Sequence, residues 1–362
     1  MNKQQHPTAV PQSAPLVEVR RGAIVESRHR GHIAVVDGNG MLVAHLGTPE
    51  TVTYLRSSAK PHQAMPLITS GAADRFEFTV KEIAIACGSH SGESIHTAAV
   101  ASMLRKIGLD ESALKCGTHE PFSRKVAHAM RERGELPNIL QNNCSGKHTG
   151  MLALALHLGA PVETYDQPHH PVQLAIARAV SQFSDVPEEE IAIGVDGCGV
   201  PVFGVAVRAM ALMYARLVSS PVSLSITKLA ADARAACEQI VSSMTTYPEM
   251  VGGTTERFDT ELIRATRGGV VSKVGAEGVY TAGIRPCEEW PRGLGLAFKV
   301  EDGEDRRARP TVAIESLRQL GVLDAEALQA LAPYAKFPVR NHRSDTVGEI
   351  RPSFTLWSKG AS

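Results

Sequence analysis

The chain has 362 residues, 43% of them hydrophobic and 21% charged, and its 38 basic residues balance 38 acidic ones. That length can bury a large core in one or two domains, and the balanced charge leaves no electrostatic footprint for nucleic acid or an anionic membrane. No stretch approaches the roughly 20 apolar residues of a membrane-spanning helix.

Residues 1–14 are polar, lack the apolar run of a secretory signal, and read as a disordered leader. The six cysteines (Cys87, Cys116, Cys144, Cys198, Cys237 and Cys287) lack the spacing of a disulfide framework. They are expected as reduced thiols or metal ligands in a cytoplasmic protein.

Along the chain, Asp37-Gly38-Asn39-Gly40 joins two β-rich runs, 33–36 and 41–44, as a hairpin. Helical periodicity then dominates, over 94–107, 125–133, 147–158, 172–183, 207–218 and 223–243, with Gly and Pro between. One short apolar run, Ile191-Ala192-Ile193-Gly194-Val195, reads as a strand ending in a glycine-rich loop. Strand patterns return at 270–274, 278–281 and 293–300, a charged loop follows at 302–309, and helices are expected at 312–320 and 325–331. Strands at both ends with helices between predict an α/β (α+β) fold with one antiparallel sheet built from both chain ends and covered by helices. Residues 15–60 and 255–362 form the sheet-bearing domain in this reading, and 61–254 an inserted, mainly helical domain. A cleft between the two is the natural place for a small-molecule site.

Three short motifs carry candidate chemistry. In Arg56-Ser57-Ser58-Ala59-Lys60, Lys60 shares a helical face with Ser57 at i,i+3 and not with Ser58 at i,i+2. Ser57 is therefore the better nucleophile, and a desolvated neutral lysine can take its proton. Pro61 disfavours the helical region for Lys60, so the turn must be distorted or Ser57 must stand at its start. The same residues also suit plain helix capping beside a solvated lysine. In Cys87-Gly88-Ser89-His90-Ser91-Gly92, the glycines let the backbone approach a ligand, and Ser89 offers a second hydroxyl or an ordinary cap. In Ser272-Lys273-Val274-Gly275, a lysine on a strand can enter the cleft or face solvent. The order Ser-x-x-Lys, Gly-flanked Ser, Lys-x-Gly is that of the penicillin-recognising acyl-transferases and class A β-lactamases.

A separate pair of glycine-containing loops, Asn142-Asn143-Cys144-Ser145-Gly146-Lys147-His148 and Val195-Asp196-Gly197-Cys198-Gly199, offers two thiols. Cys144 and His148 at i,i+4, with the distant Cys198, would suit zinc; two buried thiols are the plain alternative. Ser-Gly-Lys-His lacks the first glycine of a phosphate loop.

Taken together, these segments, with Arg56 to Gln63, Ala86 to Glu93, Asn143 to His148, Val195 to Pro201 and Ser272 to Gly275, resemble the Rhizobium-type L-asparaginases of the asparaginase II family. The resemblance spans about 17–356. It implies hydrolysis of L-asparagine to L-aspartate and ammonia, on a serine β-lactamase- and glutaminase-like fold, as a homodimer. It implies Ser57 as nucleophile with Lys60 as base, and Ser89 with Lys273 as a second Ser–Lys pair. It places a zinc site on Cys144, Lys147 and Cys198, naming a lysine where spacing alone favoured His148. Arg56, His148, Asp196 and Asp259 are the expected substrate contacts, with Asp196 alternatively supporting the metal ligands. Two other readings stay open: a zinc-hydroxide amidohydrolase in which the Ser–Lys pairs are bystanders, and a non-catalytic amino-acid or zinc sensor.

Overall fold

A computed structural model describes residues 12–219 and 231–358. The expected leader lies outside the described residues through residue 11, and residue 14 already belongs to a strand. The first part of the expected helix 223–243 also lies outside them. No helix among the described residues is long and apolar enough to cross a membrane.

Twelve strands are described: β1 (Ala14–Arg21), β2 (Ile24–Asp37), β3 (Leu42–Leu46), β4 (Val52–Tyr54), β5 (Ala192–Val195), β6 (Pro201–Ala206), β7 (Val270–Gly275), β8 (Val279–Ile284), β9 (Leu294–Val300), β10 (Phe337–Arg340), β11 (Thr346–Pro352) and β12 (Trp357–Ser358). The large sheet runs β10-β11-β1-β2-β9-β8-β7, with β3 on β2 and β12 on β3. Every pairing in it is antiparallel. The two ends of the chain meet where β2 pairs with β9, from Gly31↔Val300 to Asp37↔Leu294. The sheet from both termini is thus as expected, and so is the hairpin. There Asp37 Oδ1 accepts from the N–H groups of Asn39 and Met41 at 2.9 and 3.0 Å, and Gly40 takes a φ of +84°. Strands β10 and β11 were not expected. β10 is alternately half-buried and exposed, contains Pro338, and presents no apolar run.

Helices lie on both faces of this sheet. They are α1 (Val80–Ala86), α2 (Ser94–Lys106), α3 (Arg124–Glu132), α4 (Ser145–His157), α5 (Pro171–Ser184), α6 (Val207–Val218), α7 (Ala231–Thr246), α8 (Phe258–Ala265), α9 (Arg309–Gln319) and α10 (Ala325–Ala330), with shorter turns between. Strand alternation divides the apolar residues between two cores. Ala34 and Val36 join a cluster with α6 and the inserted helices. Ile33 and Val35 join one with α8, α9 and α10. Helix α6 crosses the sheet so closely that a Cβ on Gly295 would stand 1.7 Å from Ala211 O.

A second, three-stranded antiparallel sheet, β4-β6-β5, stands apart from the first. Only β5 was anticipated, because Pro201 and Gly204 interrupt the β6 run. Gly204 is required by packing: a Cβ there would lie 3.3 Å from the Tyr54 ring. This small sheet delivers Arg56 and Ser57 from the end of β4 and Asp196 from the end of β5.

Several histidines are buried as neutral rings. His62 donates from Nε2 to Met213 O at 3.1 Å and meets Phe183 and Tyr214 edge-on. His90 and His96 stack at 5.0 Å between centroids. Each accepts a backbone N–H at Nδ1, so each donates from Nε2, His90 to Ser145 Oγ and His96 to Glu249 O. Burial lowers His62 to about 4 and holds His90, His96 and His148 below the ordinary 6.5.

Two predictions follow from this packing. Gly295→Ala should destabilise the fold by about 3 kcal/mol or prevent folding, because rigid backbone blocks the added carbon; a urea midpoint equal to wild type would contradict it. The buried histidines stay neutral in the folded chain, whereas the unfolded chain takes up their protons near pH 6.5. Their stability contribution is complete above that pH and is lost as pH falls below it, for His62 down to about 4 at roughly 1.4 kcal/mol per unit. Urea unfolding from pH 7 to pH 5 should show this decline, and a constant midpoint would refute it.

Candidate active site

Strand β4 leads directly into the Ser57 segment. Leu55 N closes the last rung with Phe203 O at 2.9 Å. Arg56 then takes a φ of +50°, a left-handed conformation that costs a non-glycine residue about 1 kcal/mol or more. The chain turns into a 3-10 helix, Arg56–Ala59, that continues as Lys60–Gln63. With three residues per turn, Ser57 and Lys60 stand above one another, and Lys60 N donates to Ser57 O. Pro61 falls in the first turn, where no hydrogen bond is lost. Lys60 itself is helical, with φ −55° and ψ −41°, so Pro61 does not keep it out of that region. Ser58 is buried, donates to Leu55 O at 2.7 Å, and its carbonyl accepts from Tyr214 OH. Ser57 is half-buried.

Lys60 has no exposed surface. Its Nζ donates to Gly88 O at 2.7 Å, Ser89 Oγ at 2.9 Å and Asn143 O at 3.0 Å. Burial lowers its pKa; Cys144 opposes this and Lys147 adds to it. Ser89 reaches it through a rigid lead-in. A capping box between Thr79 and Glu82 starts α1. Gly88, just past its end, packs where a Cβ would stand 2.4 Å from Met250 O. Ser89 N then donates to Val251 O at 2.8 Å.

Lys273, on β7, is equally buried. Its Nζ donates to Val274 O at 3.0 Å and lies 3.4 Å from Asp259 Oδ2. The Ser–Lys contact made here is thus Lys60 with Ser89, while Lys273 is paired with Asp259. Asp259, only 1% exposed, accepts from Ser272 Oγ at 2.6 Å and Val274 N at 3.1 Å.

The two glycine-containing loops meet beside Lys60. Asn142 Oδ1 accepts from Cys144 N at 2.8 Å, fixing the start of α4. Lys147 Nζ donates to Cys198 Sγ at 3.0 Å. The Cys198 hydrogen bond holds the Cys144 thiol well below its ordinary value, helped by Lys60 and Lys147. Cys198 is raised in turn by its hydrogen bond to Cys144, and burial adds to that. Lys147 is raised: its burial acts downward, but Cys198 and Cys144 outweigh it. No group of three His, Cys, Asp or Glu residues gathers among the described residues. The set present is two thiols and an amine, which fits a borderline-soft ion such as zinc with one position open, provided Lys147 releases its proton.

His148, adjacent to Lys147, turns toward a different partner. Its Nδ1 lies 2.7 Å from Tyr165 OH, which accepts from Lys115 N at 2.9 Å. The hydroxyl therefore donates to Nδ1, and the ring proton sits on Nε2, which is buried without a partner among the described residues. Arg56 Nε donates to Asp196 Oδ1 at 2.7 Å, and Gly197 N shares that oxygen at 2.9 Å. These two expected substrate contacts thus hold each other at the rim. Asp196 stays ionised because Lys147 and Arg56 outweigh its burial.

Sequence reasoning missed three members of this site. Arg257 donates to Ser89 O and Ser91 Oγ. His119 bonds Asn143 and stacks on Phe122 at 5.0 Å. Tyr165 orients His148. All three are isolated in sequence from the motifs they serve, so no local pattern marks them. A cavity of about 790 Å³ lined by residues of α7 and β8 contains none of these groups.

Comparison with solved structures finds a Bacillus subtilis glutaminase in covalent complex with 5-oxo-L-norleucine, 14% identical, TM-score 0.40, over 87% of this chain and 93% of that one. A probable Bacillus subtilis glutaminase complexed with 6-diazo-5-oxo-L-norleucine is 13% identical, TM-score 0.39, over 81% and 85%. A Bacillus glutaminase solved at high salt is 13% identical, TM-score 0.37, over 81% and 91%. No curated protein sequence matches the chain. The family described as L-asparaginase II matches residues 17–352, and at that coverage the chain belongs to it.

Proposed function

We propose that the protein hydrolyses L-asparagine to L-aspartate and ammonia through a serine nucleophile. Family membership supports an amidohydrolase. The observation that carries the mechanism is Lys60, a water-excluded amine one 3-10 turn after half-buried Ser57 and bonded to Ser89. In its neutral form Lys60 keeps two N–H donors for Gly88 O and Asn143 O, and its freed lone pair takes the Ser57 hydroxyl proton as Oγ attacks the side-chain amide carbon. Backbone N–H groups stabilise the tetrahedral oxyanion, each worth about 3 kcal/mol. The C–N bond breaks, the proton passes through Lys60 and Ser89 to the departing ammonia, and water hydrolyses the β-aspartyl ester. Lys273 supplies positive charge beside this pair.

Cys144, Lys147 and Cys198 would hold zinc, which when bound supplies an electrophilic anchor for the substrate's α-amino and carboxylate end. The unpartnered His148 Nε2–H and the Arg56–Asp196 pair support the same end as the recognition side. A homodimer is proposed from the resemblance in sequence alone. A metal-dependent amidohydrolase is the second reading, favoured by the depressed Cys144 thiol beside Lys147 and Cys198.

Ammonia release from L-asparagine by wild type and Ser57→Ala, with and without a chelator, separates the two. We expect Ser57→Ala to lower kcat by about a thousandfold or more, and chelation of wild type to raise KM with kcat retained. Turnover that survives the substitution and disappears with the chelator would move the chemistry to the thiol cluster. Saturable asparagine binding without ammonia release would indicate a sensor.

A further inference from the structure

The start of α8 reaches into both halves of the site. Arg257, just before its first turn, donates from Nη1 to Ser91 Oγ at 2.9 Å and from Nη2 to Ser89 O at 2.8 Å. Its guanidinium also lies over the Phe122 ring, 5.4 Å from the centroid. Two residues later, Asp259 points the other way and engages Ser272, Lys273 and Val274 on β7. One turn of chain therefore grips the Ser89 loop with a cation and the Lys273 strand with an anion.

We propose that Asp259 is a positioning residue that acts through Lys273, holding its buried amine in the cleft. This rests on the serine–lysine amidohydrolase reading. A buried ammonium needs a counter-charge, and removing one partner of a buried pair leaves the other uncompensated. Asp259, 1% exposed, is the carboxylate beside Lys273, which is fully buried. The carboxylate is fixed in one orientation. Tyr280 OH donates to Ser272 Oγ at 3.0 Å, and that hydroxyl in turn donates to Asp259 Oδ1. Val274 N and Lys273 Nζ both engage Oδ2. Burial drives the Lys273 amine down to about 7, with Lys60 and Arg257 pushing the same way, and Asp259 is the group opposing them.

The test combines Asp259→Asn with Lys273→Met in a double-mutant cycle, read by urea unfolding and by ammonia-release kinetics. Asp259→Asn alone should lower the urea midpoint and reduce kcat roughly tenfold or more, with KM within about twofold of wild type. In the Lys273→Met background, where it removes a buried charge left without its partner, it should no longer lower the urea midpoint and should leave kcat unchanged. A raised KM at unchanged kcat would make Asp259 a substrate contact and overturn the proposal, as would an equal drop in urea midpoint in both backgrounds. Should Asp259→Asn alone fail to fold, recovery of folding in the double variant supports the coupling, and no recovery overturns it. If wild type releases no ammonia from asparagine, the functional reading fails while the urea cycle still decides whether Asp259 acts on Lys273.

Discussion

The desolvated amine of Lys60 is the constraint around which the rest of this site is arranged. A lysine without exposed surface must find acceptors for its protons, and Lys60 finds them on three segments far apart in sequence: Gly88 O, Ser89 Oγ and Asn143 O. Those bonds tie the Ser57 turn, the end of α1 and the loop before α4 to one nitrogen. The same burial that makes these bonds necessary makes the proton easier to give up, which is what a base for a serine hydroxyl requires.

The fold holds this nitrogen in place by close backbone packing. Gly88 and Gly295 both stand where a Cβ would strike main-chain atoms of a neighbouring segment, so α1 and α6 have no slack against their partners. The small sheet adds the other half of the arrangement, because β4 and β5, on either side of β6, bring Arg56 against Asp196. The Arg56–Asp196 bond helps to offset the left-handed strain at Arg56, immediately before Ser57. Strain at such a position fits a residue that must present the next side chain outward. Lys60 and Lys147 also share the Cys144 thiol as a neighbour, so the serine–lysine network and the proposed metal ligands form one electrostatic unit.

Much of this was legible in the sequence, for physical reasons that also explain the gaps. The i,i+3 relation of Ser57 and Lys60 is a local property, whereas the bias of Pro61 against a helical Lys60 is overridden by the burial of that turn. The sheet from both chain ends followed from where apolar β-runs lay. Spacing misled where partners are distant. Cys144 and His148 share a helical face, yet His148 is captured by Tyr165 while Lys147 reaches Cys198. Nothing local in the sequence shows that Asp259 meets Ser272, Lys273 and Val274. Strands β10 and β11 at the sheet edge, with half-buried alternation and a proline in β10, fall below the signal that apolar periodicity gives.

The central claim is that Ser57 forms a covalent ester with the substrate's side-chain acyl group. Acid quenching during turnover of L-asparagine, followed by proteolysis and mass spectrometry, tests it most directly. The account predicts a β-aspartyl ester on the peptide that begins at Ser57, with fragmentation placing it on Ser57 and not on Ser58. An ester on Ser89, or turnover with no ester on any serine, would contradict it.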